Sequence, residues 1–287
     1  MVTSHIEKIS VRQDESHKGD YGKVLVVAGS IGMTGAAYLA SQAALRAGSG
    51  LVTNAVPCSL NPIMAIKFIE VMTLALSENK NGTLNKKSVK EILEFSKKCD
   101  VSIVGPGMGR AKETRAVIID LIRYLSTPLV LDADGLNAIE GKLSLFKKRK
   151  YKTVITPHPG EMARLIKKDV TFVQEHRTEI AKEIAETTGI VVCLKGHKTV
   201  VASPDGELYV NDTGNSGMAT GGTGDVLAGI IASFIGQGID IYSAVVVGVY
   251  LHGISGDIAA EKHGPFSMIA GDVIQALPDA FKKAGLY

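Results

Sequence analysis

A glycine-rich loop in the last third of the chain combines an anion site with a candidate base. Residues 211–227 read NDTGNSGMATGGTGDVL, and three of these glycines directly precede an apolar stretch that predicts a helix. The free amides and the dipole of a helix start favour phosphate. Asp225 therefore has two interpretations: an ordinary helix cap, or a base that removes a proton from a hydroxyl. The loop lacks the Lys-Ser/Thr of a P-loop, and the chain has no GxGxxG dinucleotide fingerprint.

A basic turn lies about thirty residues upstream of this loop, between two predicted strands. Its sequence, KGHKT, is compatible with an ordinary hairpin turn that binds no ligand. A phosphate loop in the same chain also makes a nucleotide contact plausible, because cationic side chains bind phosphate through charge-assisted hydrogen bonds. The candidate nucleotide-binding residues of this turn are Lys195, Gly196, His197, Lys198 and Thr199.

Two further loops follow buried strands and carry ionisable side chains. In the segment TPHPGE, Pro159 and Glu161 are ordinary helix-initiation signals, whereas His158 between two prolines is better explained by a ligand contact than by a core position. In the segment DADGLN, Asp132 and Asp134 are able to hold a metal ion through water, or one of them caps the next helix. The seven histidines show no HExxH or paired spacing, which argues against a histidine-ligated zinc site.

Short β-branched runs alternate with stretches of helical periodicity and place these loops at strand ends. We expect strands at Lys23–Ala28, Leu51–Val56, Val71–Leu76, Val101–Val104, Leu129–Asp132, Thr153–Thr156, Ile190–Lys195, Thr199–Ala202 and Glu207–Asn211. The last two are predicted to form a hairpin around a Pro-Asp-Gly turn. The main predicted helices are Thr34–Ala47, Lys86–Lys98, Lys112–Leu125, Val173–Thr188, Asp225–Gly236, Tyr242–His263 and Gly271–Ala284.

Near-continuous apolar strands alternating with helices predict a mostly parallel sheet that is covered on both faces. Ligands of such sheets bind outside the carboxyl ends of the strands. The polar and glycine-rich loops, including GSIGMTG and GPGMG, should therefore line one rim. No linker or internal repeat divides the chain, so we expect one domain over residues 1–287.

Composition narrows the class of function. The chain has 287 residues, 31 of them glycine, and a formal net charge of only +3, which argues against a nucleic-acid partner. Three widely spaced cysteines indicate neither a disulfide framework nor a zinc cluster. The first ten residues lack an apolar signal core, and the apolar run 226–235 is half the length of a membrane span. We expect a cytoplasmic protein without a membrane partner.

Six blocks of the sequence together resemble the NAD(P)H-hydrate dehydratases. They are GSIGMTGAAYLASQAALRAGSGLVT (29–53), VGPGMGR (104–110), LVLDADGLNAI (129–139), TPHPGEMARL (156–165), KGHKTVV (195–201) and NSGMATGGTGDVLAGIIA (215–232). The blocks occur in the family's order and span most of the chain. The resemblance implies a ribokinase-like fold, a three-layer α/β/α sandwich, without the epimerase domain that is fused to some relatives.

The implied activity is metabolite repair by a carbon-oxygen lyase. Such an enzyme returns the S-epimer of hydrated NADH or NADPH (NADHX or NADPHX) to the dihydronicotinamide. The donor is ADP in most bacterial members, giving AMP and phosphate, and ATP in eukaryotic ones. The implied route is phosphoryl transfer to the ring hydroxyl followed by loss of phosphate, with Mg²⁺ neutralising the phosphates. A homotetramer is implied as well.

The resemblance also assigns roles to individual residues. It implies that Asp225 is the base, that Lys195 to Thr199 and Gly224 bind the nucleotide, and that the substrate is contacted by Ala37, Gly109, His158 and Asp225. Ala36 is an alternative to its neighbour Ala37. Asn137 and Glu161 are further candidates for contacts to the ring or to a metal ion.

Two other functions remain open from the sequence. A ribokinase-like kinase for a vitamin-precursor alcohol would use the same base and anion site, but would leave a stable phosphate ester. A non-catalytic nucleotide-binding protein on this fold would not need to retain Asp225. The sequence leaves open the choice between ADP and ATP and between the two hydrates.

Overall fold

Nine strands form one sheet, as the alternation of strands and helices predicts. The computed structural model describes residues 2–9 and 12–286. The strands are β1 (Lys23–Val27), β2 (Leu51–Pro57), β3 (Met72–Leu76), β4 (Val101–Val104), β5 (Leu129–Leu131), β6 (Thr153–Ile155), β7 (Val191–Leu194), β8 (Val200–Ala202) and β9 (Leu208–Val210). Their spatial order is β3-β2-β1-β4-β5-β6-β7-β8-β9. Strands β1 to β7 are parallel, and β8 and β9 each pair antiparallel with the preceding strand.

Helices cover both faces of the sheet. The helices are α1 (Thr3–Ile6), α2 (Thr34–Arg46), α3 (Asn61–Lys67), α4 (Lys86–Ser96), α5 (Lys112–Tyr124), α6 (Asp134–Asn137), α7 (Pro159–Ile166), α8 (Val170–Glu175), α9 (Arg177–Thr188), α10 (Thr223–Gly236), α11 (Ile241–His263) and α12 (Ala270–Lys283). One layer contains α2, α3, α10, α11 and α12, and the other contains α4 to α9. The predicted three-layer α/β/α architecture is confirmed.

The central strands are apolar on both sides because each side faces a core. In β1, Val24 and Val26 pack into the core beneath α2 and α10, while Leu25 and Val27 pack into the opposite core. All four side chains are almost completely buried. This is the burial expected of a parallel sheet sandwiched between helices.

The order in which successive strands join the sheet reverses at β1, because β2 and β3 lie on one side of it and β4 to β9 on the other. This places a crevice at the carboxyl ends of β1 and β4. β1 leads into α2 on one face, and its neighbour β4 leads into α5 on the other. The two connecting loops touch, since the amide of Gly29 donates to the carbonyl of Pro106 at 2.8 Å. Such a switch point is the usual ligand-binding place of an open α/β sheet.

Helices α2 and α10 are in direct backbone contact. A β-carbon at Gly229 would lie 2.3 Å from the carbonyl oxygen of Ala40, so only glycine fits there. The neighbouring surface of α2 is built from alanines, among them Ala43 and Ala44. The small residues of both helices therefore fix the position of α10 against the sheet.

Among the described residues, α11 is the one helix long and apolar enough to cross a membrane by length and composition. Within its most apolar window, 72% is buried inside the protein. A buried core helix passes the same test, so this finding is weak support for a membrane span.

Some local predictions differ from the structure. Helix α3, which begins Asn-Pro, was not predicted, and the predicted helix Val173–Thr188 is two helices, α8 and α9, that meet at His176. The ring of His176 stacks on Phe172, and the side chain of Asp169 caps α8 at the amide of Phe172. The predicted hairpin of β8 and β9 is confirmed. The expected domain limits, Met1 and Tyr287, lie outside the described residues.

Candidate functional site

The glycine-rich loop ends in a helix start whose first amides are free for a ligand. Helix α10 begins at Thr223 after Gly222, which has a φ of 97°. The hydroxyl of Thr223 donates to the carbonyls of Met218 and Thr220, at 2.9 and 3.0 Å, and so folds the loop onto the helix. The first backbone bond of the helix runs from the amide of Val226 to Gly222. The preceding amides of the first turn have no partner within the helix.

Asp225 lies in this first turn and does not act as a cap. Within residues 2–9 and 12–286, its carboxylate makes no hydrogen bond and no ion pair. Burial raises the pKa of Asp225 to about 7, with a further increase from the negative charge of Asp132 and an opposing effect of Lys195. A carboxyl group with a pKa near neutrality is a suitable general base. The geometry favours the base interpretation over the cap.

Lys195 lies beneath the loop and is held by two buried carboxylates. Its ammonium nitrogen is 2.8 Å from Oδ1 of Asp132 and 4.0 Å from Oε2 of Glu161. Burial alone lowers the pKa of Lys195, but the two carboxylates outweigh burial and raise it. A β-carbon at Gly224 would lie 3.1 Å from the same ammonium nitrogen. A permanent positive charge therefore lies directly beside the first turn of α10.

The basic turn between β7 and β8 is shaped by an arginine that sequence analysis missed. A terminal nitrogen of Arg177 donates to the carbonyls of Leu194 and Lys195, at 2.9 and 3.2 Å. The other terminal nitrogen donates to the carbonyl of His197. Arg177 opens α9 and carries no local sequence signal for this role, because its partners are brought near only by the fold.

The turn and the start of α10 line one cavity of about 730 Å³. It contains all five predicted residues of the turn together with Gly224 and His158, and its apolar wall includes Leu227 and Val249. The amide of Gly214 and the side chain of Asn215 donate to Asp257, at 3.0 and 2.9 Å, which anchors the loop above the cavity. The structure thus brings the predicted nucleotide-binding residues together.

His252 of α11 also lines this cavity. Burial lowers its pKa to about 4, so the ring is neutral at physiological pH. Its Nε2 atom has no hydrogen-bond partner among the described residues.

His158 has a structural role that the sequence interpretation did not include. Its Nδ1 accepts hydrogen bonds from the amides of Gly160 and Glu161, at 3.0 and 3.3 Å, and so caps α7. In return, Glu161 accepts from the amide of His158 at 2.8 Å. Burial and the charges of Lys195 and Arg164 lower the pKa of His158. The neutral ring consequently carries its proton on Nε2, which lies 3.6 Å from Oε1 of Glu161.

Ala37 and Gly109 lie in the crevice between β1 and β4. Ala37 is fully buried against the loop at Gly29, whereas its neighbour Ala36 is partly exposed. The amide of Gly109 donates to Oδ2 of Asp134 at 2.8 Å. Gly109 lines a smaller cavity of about 180 Å³, separate from the one that holds the basic turn.

The two carboxylates of the DADGLN segment belong to different networks. Asp132 pairs with Lys195, while Asp134 accepts from Gly109 and from the side chain of Asn137 at 3.1 Å. Ala133 between them has a φ of 49°, a left-handed backbone that separates the two side chains. In the part of the chain that the structure describes, no three His, Cys, Asp or Glu side chains form a group able to hold a metal ion.

Taken together, free amides, a fixed ammonium group and an unpaired carboxylate surround the start of α10. The amides and Lys195 can stabilise a phosphoryl group, and Asp225 can accept a proton from an attacking hydroxyl. This arrangement suits phosphoryl transfer from a nucleotide to an alcohol.

Comparisons with known proteins agree with this geometry. The family profile described as NAD(P)H-hydrate dehydratase matches residues 24–279. The bifunctional NAD(P)H-hydrate repair enzyme of Moorella thermoacetica is 46% identical over 93% of the chain, but the chain spans only 50% of that protein. The ADP-dependent (S)-NAD(P)H-hydrate dehydratase of Neisseria meningitidis is 35% identical, with 92% of the chain and 86% of that protein covered.

A solved structure is similar over nearly its whole length. The ADP/ATP-dependent NAD(P)H-hydrate dehydratase of Bacillus subtilis, co-crystallised with ATP and Mg²⁺, superposes with a TM-score of 0.85 at 31% identity. The superposition covers 99% of this chain and 97% of the Bacillus chain.

Proposed function

Because this chain belongs to the NAD(P)H-hydrate dehydratase family, we propose that it dehydrates the S-epimer of hydrated NADH and NADPH. In this repair reaction a nucleotide, ADP in the first instance, donates a phosphoryl group and leaves as AMP. The observation that carries the proposal is the unpaired carboxylate of Asp225, which lies in the first turn of α10 beside the ammonium group of Lys195.

The first step is phosphoryl transfer. Asp225 takes the proton of the ring hydroxyl, whose oxygen attacks the terminal phosphorus of the nucleotide as the bond to the leaving phosphate oxygen breaks. The charge that develops on the phosphoryl oxygens faces the amides of Thr223 and Gly224 and the ammonium group of Lys195. Because these groups are fixed before the reaction, they stabilise the transition state without reorganisation.

The second step is elimination. The carbon–oxygen bond of the phosphorylated ring breaks, phosphate leaves, and a proton is lost from the adjacent ring carbon, which restores the dihydropyridine. The net change is loss of one water from the hydrate and hydrolysis of one phosphoanhydride bond.

Binding roles are carried over from the family resemblance. We assign Lys195, Gly196, His197, Lys198, Thr199 and Gly224 to the nucleotide, and Ala37, Gly109, His158 and Asp225 to the hydrated dinucleotide. Because Ala37 is fully buried, its partly exposed neighbour Ala36 is the alternative for the contact on that helix.

Mg²⁺ fits the donor set beside the base. Magnesium in phosphoryl-transfer sites is held by one or two carboxylates together with substrate phosphates, so a cluster of three protein ligands is not required. Asp132 and Glu161 are two buried carboxylates that both contact Lys195, and Oδ2 of Asp132 lies 4.0 Å from the β-carbon position of Gly224. They would hold the ion, which supplies charge neutralisation of the phosphates when bound.

We also propose a homotetramer in the cytoplasm. Support for assembly comes from four exposed apolar side chains on α3, on the edge strand β3 and in the loop between them: Ile63, Ile66, Ile69 and Met72. This cluster, the α3 patch, would be covered by a second copy of the chain. The wide spacing of the three cysteines in the sequence supports a reducing compartment.

The deciding experiment mixes the purified protein with NADH hydrate or NADPH hydrate, Mg²⁺ and either ADP or ATP. The proposed function predicts recovery of the near-ultraviolet absorbance of the reduced nicotinamide with stoichiometric release of phosphate. Recovery with one nucleotide alone identifies the donor. A stable phosphate ester without recovery would instead indicate a vitamin-alcohol kinase, the alternative that the relatives favour less.

A further inference from the structure

A basic cleft extends from the proposed substrate site over the surface of α7. It consists of two adjoining depressions, of about 180 and 610 Å³, which share Arg115 and Glu140. The smaller contains Gly109 and Arg110, and the larger contains Gly160, two residues beyond His158. The cleft therefore begins at residues assigned to the hydrated dinucleotide.

The carboxylates of the cleft already have partners. Asp134 accepts from Gly109, Asn137 and Arg110. Glu140 lies 3.5 Å from Arg164, and Asp169 caps α8 through the amide of Phe172 at 2.7 Å. Arginines thus compensate the charges of Asp134 and Glu140, whereas Asp169 has a hydrogen bond from a neutral amide.

Three cations of the larger depression have no such compensation. Over the described ranges, Arg115, Lys167 and Lys168 form no ion pair. Arg115 is positioned by a 2.7 Å bond from Nε to the carbonyl of Ala138, which leaves its two terminal nitrogens available. Lys167 and Lys168 are exposed, and the chain of Lys167 lies over Gly141. An open depression with three uncompensated cations is suited to a polyvalent anion.

We propose that Arg115, Lys167 and Lys168 bind the 2′-phosphate of NADPH hydrate and make it the preferred substrate. This inference rests on the proposed function. Each phosphorus of the central pyrophosphate carries about one negative charge, whereas a phosphomonoester approaches two near neutral pH. Among the phosphates of the substrate, the 2′-phosphate therefore best matches the three cations of the larger depression. Arginine adds a planar pair of donors that fits phosphate oxygens.

The test compares the two hydrates in one variant. The double substitution Lys167→Gln/Lys168→Gln removes two exposed charges that form no described hydrogen bond or ion pair. The Lys168 ammonium lies 5.3 Å from the centre of the Phe172 ring, an exposed contact of small energy, so folding should be preserved. We expect kcat/KM for NADPH hydrate to fall at least about tenfold through a higher KM, since bonds to a charged group are worth about a factor of ten each. The value for NADH hydrate should change less than about twofold.

A matched control is available on the same face of the chain. Lys147 and Lys148 are also adjacent and exposed, but they do not line the cleft. The variant Lys147→Gln/Lys148→Gln has the same change in net charge and should retain the kinetics of the unmodified protein with both hydrates. An equal loss in this control would attribute the effect to overall charge and refute the cleft.

The remaining outcomes distinguish failure of the 2′-phosphate assignment from failure of the proposed function. Equal losses for both hydrates would show that the lysines bind the pyrophosphate, and unchanged kinetics would show that they bind no phosphate. Either result overturns the 2′-phosphate assignment while turnover by the unmodified protein still supports the dehydratase. Absence of turnover with both hydrates in the unmodified protein would refute both proposals.

Discussion

The ammonium nitrogen of Lys195 and the carboxylate of Asp132 are 63 residues apart in the sequence and 2.8 Å apart in the structure. Asp132 follows β5 and Lys195 follows β7, so the pair connects two strand ends under the start of α10. The side chain of Asp132 is 1% exposed. The pair therefore controls the electrostatics of the site from a position that water scarcely reaches.

Loss of the lysine should destabilise the fold. Lys195→Ala leaves Asp132 as a buried charge without a counter-ion, which costs about 3–5 kcal/mol of unfolding free energy. Urea denaturation at pH 8 measures this loss. Lys198→Ala, in the exposed part of the same turn, should change stability by less than about 1 kcal/mol. If the two variants are equally stable, the buried pair does not have the importance assigned to it.

Removal of the base should separate catalysis from binding. Asp225→Asn keeps the shape of the side chain but cannot accept the proton, so turnover should fall at least about 10²-fold. The dissociation constant for ADP, measured by calorimetry, should change little, because nucleotide binding depends on the amides and the basic turn. Turnover close to that of the unmodified protein would refute the assignment of the base.

The same variant should be more stable than the unmodified protein at pH 8. The folded-state pKa of Asp225, raised to about 7, lies above the unfolded value of 3.8, so folding disfavours the carboxylate. The penalty is absent below about pH 4, grows as pH rises through this interval, and is complete above pH 7. We expect a gain of about 1–3 kcal/mol for Asp225→Asn at pH 8 and none at pH 3.5. A gain that is independent of pH would contradict this origin.

The activity profile should report the same ionisation. Since the base form is required, kcat/KM should decrease as pH falls through about 7. Asp132→Asn removes a neighbouring negative charge and releases Lys195 toward Asp225, and both changes lower the pKa of the base. The acid limb should move to lower pH in this variant whatever its maximal rate. A limb that stays in place would show that Asp132 does not influence the base.

The contact between α2 and α10 should tolerate no side chain. In Gly229→Ala the new β-carbon meets the carbonyl of Ala40 at 2.3 Å, so a backbone shift is required and stability should drop by about 2–3 kcal/mol. Gly35→Ala, on the same α2 helix but in open space, is the matched control and should leave the melting temperature unchanged or slightly higher. Equal melting temperatures for the two variants would disprove the close contact.

The α3 patch should mediate assembly. Ile66 is 86% exposed, and Ile66→Glu places a charge at the centre of the proposed interface. Light scattering after size exclusion should show a smaller species for this variant than for the unmodified protein. Tyr124→Glu, also exposed but in the opposite layer, should leave the mass unchanged. If the unmodified protein has the mass of a monomer, the tetramer proposal is wrong.

Most of the sheet was predictable because its signals are local. Apolar runs such as β1 and β4 are followed by glycine-rich loops, which mark where each strand ends. The alternation of these strands with helices along the chain predicts a parallel sheet. The break between α8 and α9 depends on stacking of His176 on Phe172, which periodicity does not reveal. Helix α3 is too short for a periodic pattern to identify it.

The site was predictable only in part, for a similar reason. Asp225 and the basic turn were predicted as site residues because each lies in a distinctive local segment. The partners that tune them, Asp132 for Lys195 and Arg177 for the turn, come from distant segments. His158 was expected to contact a ligand, and its second role in capping α7 became visible only with the helix in place. Local sequence identifies the reactive groups but not the groups that set their charge.

The bare backbone at Gly229 also limits how this protein can be recombined with its relatives. Helix α10 carries the base, and α2 borders the substrate crevice through Ala36 and Ala37, yet the two helices meet without an intervening side chain at that point. An α2 segment grafted from another chain would fit only if its backbone path reproduced this approach to within a few tenths of an ångström. In chimeric enzymes, α2 and α10 should therefore be exchanged as a single module.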